Sequence, residues 1–146
     1  MATAVNERLS ARNQIRGTVA GMTAGQAMTM VTVNAGDHRL ASVITNAAVK
    51  EMELKPNDRV IAVIKSTEAM LLKGDLNGIK ISARNRIGGE VTDVQRGSAM
   101  GTVTINARGI TVAASVTREA IEDLHINKGD RLTAVFKATE VMLQKE

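Results

Sequence analysis

Six residues stand out as able to hold an anion: Ser10, Arg12 and Lys65, and their repeats Ser82, Arg84 and Lys137. They fall in two stretches that the chain carries twice, "SARN" at 10–13 and 82–85, and "AVIKSTEAML" at 62–71 against "AVFKATEVML" at 134–143. Hydroxyls, a guanidinium fork and an ammonium group are all donors. With free backbone N–H groups they make a set suited to a tetrahedral oxyanion. Each lysine follows an apolar run that strand alternation partly buries, and a desolvated cation needs an anionic partner. Ordinary ion pairs with Glu68 or Asp58 meet that need equally well, and these residues alone leave both readings open.

The duplication extends well beyond these six. From Ser10 to Lys73 the sequence aligns without a gap on Ser82 to Lys145, with about 27 of 64 positions identical, which marks an internal repeat. Positions that recur as a class belong to a core, whereas recurring polar identities need another reason. Thr45 and Thr117 read as helix N-caps, Asp58 and Asp130 as turn residues, and Asn34 and Asn106 as strand ends. Glu68 and Glu140 read as surface ion-pair partners on a strand, and Asn13 and Asn85 as turn or capping groups before one. The paired methionines Met28/Met100 and Met70/Met142 read as core filling in apolar strands.

Other chemistries lack parts. His38 aligns with Ile110 and His125 with Glu53, so no histidine site repeats. No Ser-His-acid set, phosphate-binding glycine loop or metal-ligand spacing recurs, and there is no cysteine. A non-enzymatic binder is therefore expected, with no direct metal-cation ligands.

The elements that must position these donors are mostly strands. In the second copy "GGEVTDVQ", "MGTVTINAR" and "GITVAASV" read as three strands. "TREAIEDLHI" places Ala120, Ile121 and Leu124 on one helical face behind the Thr117 cap. After the "NKGD" turn, "RLTAVFKA" and "TEVMLQK" supply two more strands. The first copy repeats this order, with Ala48, Val49 and Met52 on the helix face. The expected fold is mainly β: two tandem OB-like five-stranded barrel modules, each with one short helix between strands 3 and 4. The boundaries read as an N-terminal extension 1–9, module 1 at 10–73, a linker 74–81 and module 2 at 82–146. Units this small are marginal alone, so docking of the copies or of several chains is expected.

The net charge of +4 favours anionic partners without the look of a nucleic-acid tail. Phe136 is the only aromatic residue, so a base-stacking function has almost nothing to stack on. The opening "MATAVNERLS" holds no continuous apolar run and no stretch approaches a membrane span, so a soluble, cytoplasmic protein is expected.

"SARN" before a strand, a "VT" or "IT" before a short helix, and "KxTExML" near the end of each copy resemble the Mop-type molybdate-binding domains, the molbindins of the TOBE group. The resemblance runs from about Leu9 to Lys145, once per copy. It implies molybdate or tungstate as ligand, a storage and homeostasis role, and a ring of six modules built from three two-module chains. Anion sites would lie at module interfaces, on Ser10, Arg12, Lys65, Ser82, Arg84 and Lys137, with backbone N–H groups nearby, those of Ala11 and Ala83 among the candidates. Some relatives add a serine three residues after the cap threonine; Ala48 and Ala120 stand there, which makes Thr45 and Thr117 candidate substitutes. The competing readings are an OB-type nucleic-acid binder and a ligand-sensing module that contacts a regulator or transporter.

Overall fold

The computed structural model describes residues 6–74 and 76–146. Residues 1–5 of the expected N-terminal extension and position 75 of the expected linker lie outside the described residues. Each copy folds as three strands, a short helix, a strand, a single 3-10 turn and a last strand. The first copy gives β1 (Asn13–Ala24), β2 (Met28–Ala35), β3 (His38–Thr45), α1 (Asn46–Met52), β4 (Arg59–Ile64) and β5 (Met70–Lys73). The second gives β6 (Asn85–Arg96), β7 (Met100–Ala107), β8 (Ile110–Thr117), α2 (Arg118–Asp123), β9 (Arg131–Phe136) and β10 (Met142–Lys145). The fold class is as expected: mainly β, two five-stranded antiparallel sheets, one short helix after each third strand.

The sheets do not follow the sequence repeat. Their strand orders are β10-β4-β1-β2-β3 and β5-β9-β6-β7-β8, so each sheet takes its fifth strand from the other copy. Met142 pairs with Val63 and Met70 with Val135. The repeat units 10–73 and 82–146 are thus units of sequence, whereas each sheet is a unit of space that exchanges one strand with its twin. A large apolar core shared by both copies follows from the exchange. Ile15, Val33, Leu40 and Ile64 of one copy belong to the same buried cluster as Ile87, Ile105, Leu132 and Phe136 of the other.

Local sequence explains the sheet shape. The first strand of each copy is long and breaks register once, between Val19 and Gly21 and again between Val91 and Asp93, which lets it bend around the core. Gly17 and Gly89 face the neighbouring strand closely. A Cβ on Gly89 would stand 2.5 Å from the Asn106 carbonyl oxygen and one on Gly17 2.6 Å from that of Asn34, so both positions require glycine.

The helices are held at both ends. Thr45 and Thr117 accept from the N–H of Ala48 and Ala120 at 3.1 and 3.0 Å, as the sequence predicts. At the other end the exchanged strands contribute. Lys145 donates to the carbonyls of Met52 and Glu53, and Lys73 to those of Leu124 and His125. The same lysines pair with Asp58 at 3.3 Å and Asp130 at 3.4 Å. Each carboxylate is therefore more than a turn former, since it anchors a strand arriving from the other copy.

Three further expectations are corrected. Asn13 and Asn85 are not turn or capping groups; they are buried within the first rung of their strands and reach across to the other copy. Glu68 and Glu140 sit in the 3-10 turns Ser66–Glu68 and Ala138–Glu140 rather than on strands. The paired methionines are not core filling: Met28, Met70, Met100 and Met142 are 40–47% exposed, because their strands begin or end at the sheet rim. Among the described residues, no helix is long and apolar enough to cross a membrane.

Candidate functional site

The site is built where each chain segment leaves its own sheet. Asn13 pairs with Ile64 at the end of the β1–β4 ladder, and Asn85 with Phe136 in the second copy. Arg12 and Lys65 flank that rung in sequence, as Arg84 and Lys137 flank its counterpart. Extended backbone alternates its side chains. Ala11 and Ala83 accordingly turn inward, 8% and 4% exposed, and the flanking donors turn out to solvent. Ala11 packs against Ile61 and Val63 and seats the loop. With their methyls buried, Ala11 and Ala83 can offer a ligand only backbone groups.

Two polar side chains brace the loops from below, and sequence reasoning missed both. Gln14 Nε2 donates to the Ala11 carbonyl and Arg86 Nε to that of Ala83, each at 3.1 Å. The positions correspond, but the residue types differ, so a search for recurring identities passes over them. Their shared property is a long donor immediately after the asparagine.

The asparagines tie each loop to the opposite copy. Asn13 Nδ2 donates to the Ala113 carbonyl at 2.8 Å and Asn13 Oδ1 accepts from its N–H at 2.7 Å. Asn85 grips Ala41 in the same two-bond manner, both at 2.8 Å. The chain then crosses over directly after the lysines. The turn following Lys65 packs on β8, and the turn following Lys137 packs on β3. Ser66 Oγ lies 2.8 Å from Ser115 Oγ on β8, and Ser42 Oγ on β3 donates to the Val141 carbonyl at 2.6 Å.

The backbone pairing therefore brings Arg12 and Lys65 to the same end of the β1–β4 ladder, and Arg84 and Lys137 to the same end of the β6–β9 ladder. Lys65 leads into the turn that packs on β8, which runs on to the Thr117 cap, and Lys137 into the turn that packs on β3, which runs on to the Thr45 cap. Thr67 of the first copy and Thr117 of the second line one cleft of about 500 Å³, together with Met70, Met100, Ser115 and Ala120. Each cap threonine uses its oxygen as an acceptor and keeps its own hydroxyl proton to donate.

Electrostatics favour an anion here. Lys65 and Lys137 are not half-buried as strand alternation suggested; their side chains are 61% and 62% exposed, because the strand ends one residue earlier. Both make loose pairs, with Glu68 at 3.9 Å and Glu140 at 3.7 Å. The ion-pair alternative is thus realised, in a form weak enough for an arriving anion to replace. Arg84 folds back on the carbonyls of Ser82 and Ile81 at 3.0 and 3.1 Å, whereas Arg12 holds no hydrogen bond or ion pair among the described residues. No group of three or more His, Cys, Asp or Glu that could hold a metal ion occurs among the described residues. Phe136 is fully buried, which leaves no aromatic face for a base.

Known proteins resemble this chain along most of its length. The molybdenum transport protein ModE of Herbaspirillum seropedicae is 37% identical over 138 residues, covering 93% of this chain and 51% of ModE. The molybdenum-pterin-binding protein MopA of Rhodobacter capsulatus is 36% identical over 140 residues, 93% of this chain and 52% of MopA. The chain thus spans about half the length of these relatives. Molybdenum-pterin-binding protein 3 of Clostridium pasteurianum is 39% identical over 66 residues, 97% of its own length, and so corresponds to a single copy. A solved structure of the cytoplasmic molybdate-binding protein ModG, with molybdate bound, superposes with a TM-score of 0.89 at 32% identity, covering 93% of this chain and 97% of that one. TOBE domains match residues 9–71 and 81–143, one to each copy, and the chain belongs to the TOBE-domain family.

Proposed function

We propose that this chain is a non-enzymatic, cytoplasmic binder of molybdate, or of the isosteric tungstate, that stores the anion and buffers its level. The observation that supports the reading is the twofold recurrence of an arginine and a lysine at one end of a strand ladder, beside the point where the chain crosses between sheets. Molybdate is a dianion with four acceptor oxygens and no proton to give at neutral pH. One guanidinium and one ammonium balance its charge, and a site made only of donors matches its surface. The likeness to ModG, whose structure holds molybdate, supports the same ligand.

Ser10, Arg12 and Lys65 would hold one anion, with the Ala11 backbone and Thr117 as nearby helpers. Ser82, Arg84 and Lys137 would hold another, with the Ala83 backbone and Thr45. Sulfate shares the shape but is smaller, so it would bind loosely in a pocket sized for molybdate. The exposed methionine pairs and Leu9, 39% exposed, are apolar surface that assembly would cover, and a trimer of two-module chains is the proposed state. Native mass spectrometry tests both points. The expected species is three chains carrying added molybdate masses. A chain that gains no mass at saturating molybdate contradicts the function, and a monomer that does gain it contradicts only the assembly.

A further inference from the structure

The duplication makes every position of one copy a control for its counterpart, and the match fails at one corner. Beside Lys65, Ser66 Oγ lies 2.8 Å from Ser115 Oγ, and Thr102 Oγ1 lies 3.5 Å from the same oxygen. Thr102 and Ser115 are direct partners in the β7–β8 ladder, so the three hydroxyls form a short chain spanning the two copies. Their counterparts at the other corner are Ala138, Val43 and Met30, none of which carries a side-chain donor. The hydroxyl on β3 nearest that corner, Ser42, is fully buried and spends its proton on the Val141 carbonyl.

Proton counting gives the hydroxyl chain a surplus. Three hydroxyls carry three protons and their two links use two, which leaves one O–H to donate outward. The chain lies at the proposed anion corner. Ser66 follows Lys65, and Ser115 is two residues along β8 from Ala113, the residue Asn13 clamps. Ser115 also lines the cleft shared with Thr117. A second difference points the same way. Arg84 must break its bonds to the Ser82 and Ile81 carbonyls to meet an anion, whereas Arg12 has none to break among the described residues.

We propose that the two oxyanion sites of this chain are inequivalent, the one at Ser10, Arg12 and Lys65 being the tighter because the Ser66–Ser115–Thr102 hydroxyl chain gives it a donor that the Ser82, Arg84 and Lys137 site lacks. This rests on the oxyanion-binding reading above. The duplication then yields one chain that fills in two stages, a retaining site first and an exchanging site second.

Titration calorimetry of the full chain with sodium molybdate tests it. The expected isotherm has two classes of site with affinities about tenfold or more apart, the effect of one extra hydrogen bond to a charged ligand. Arg12→Ala should remove the tight class and Arg84→Ala the weak one. The double change Ser66→Ala with Ser115→Val, which copies the apolar corner, should bring the tight class down to the weak one. The reverse graft, Ala138→Ser with Val43→Ser, should raise the weak class, and it keeps the test available if the first pair disturbs folding. A single class in the unaltered protein, or two classes that neither exchange of residues moves, overturns the inequivalence while leaving oxyanion binding intact. A flat titration overturns the binding reading and this inference with it.

Discussion

Asn13 and Asn85 each satisfy both hydrogen-bonding groups of one residue in the opposite copy, Ala113 or Ala41. Truncating either to alanine strands a partly buried N–H and C=O. Asn85→Ala should therefore cost about 2–5 kcal/mol of stability, read from denaturant unfolding, with the slope of the transition unchanged. The charged donors should behave differently. Arg84→Ala should leave stability nearly unmoved and weaken molybdate binding by about 2–5 kcal/mol, as for a lost charge partner, and an unchanged affinity would remove the residue from the site. Glu68→Gln should tighten binding by up to about fivefold, because it removes a competitor held 3.9 Å from Lys65 in an exposed pair. The proposed donor residues are picked out in the sequence because identities recur in them without a structural need. The role of the asparagines is not, since a lone asparagine before a strand reads as a turn residue. The true partner is a backbone 100 residues away for Asn13 and 44 for Asn85, which no local pattern records.

At the scale of elements, the short helices are pinned by Asp58 and Asp130 and the lysines that reach them. The Lys55 backbone N–H, donating to Asp58 at 2.9 Å, holds that carboxyl below its usual 3.8, and Lys145 adds to the effect while loss of solvent around the carboxyl opposes it. The Asn127 N–H does the same for Asp130, helped by Lys73. A carboxyl depressed in the folded state stabilises it at pH above the unfolded value and loses that contribution as pH falls through the folded value. The thermal midpoint should thus stay level near neutrality and drop below about pH 4, and Asp58→Asn with Asp130→Asn should flatten that drop. The element order, both helix caps and the helix positions were readable from periodicity and capping residues. The exposed methionines were not. An apolar side chain at the end of a short strand carries the same letter whether it enters the core or faces outward at the rim.

For the whole molecule, reciprocal exchange of β5 and β10 makes the copies one folding unit with a shared main core. Residues 1–80 expressed alone lose β10 from their sheet and leave β5 without β9. Such a fragment should be unfolded as a monomer or recover the exchange as a dimer, and sedimentation together with circular dichroism distinguishes these outcomes from a folded monomer, which the topology forbids. The repeat itself was legible in the sequence, yet the exchange was not. "MLLK" and "MLQK" carry the same alternation whichever sheet receives them, and the destination is set by the direction in which the chain leaves Lys65 and Lys137.

The measurement that bears most directly on the central claim is equilibrium dialysis against molybdate in excess sulfate, with bound molybdenum counted by elemental analysis, since the absence of Trp and Tyr rules out intrinsic fluorescence. Retention of roughly two ions per chain, one for each recurring donor set, is the predicted result, with most of it lost when Arg12 and Arg84 are both changed to alanine. No retention against sulfate, or retention indifferent to those two arginines, would contradict it.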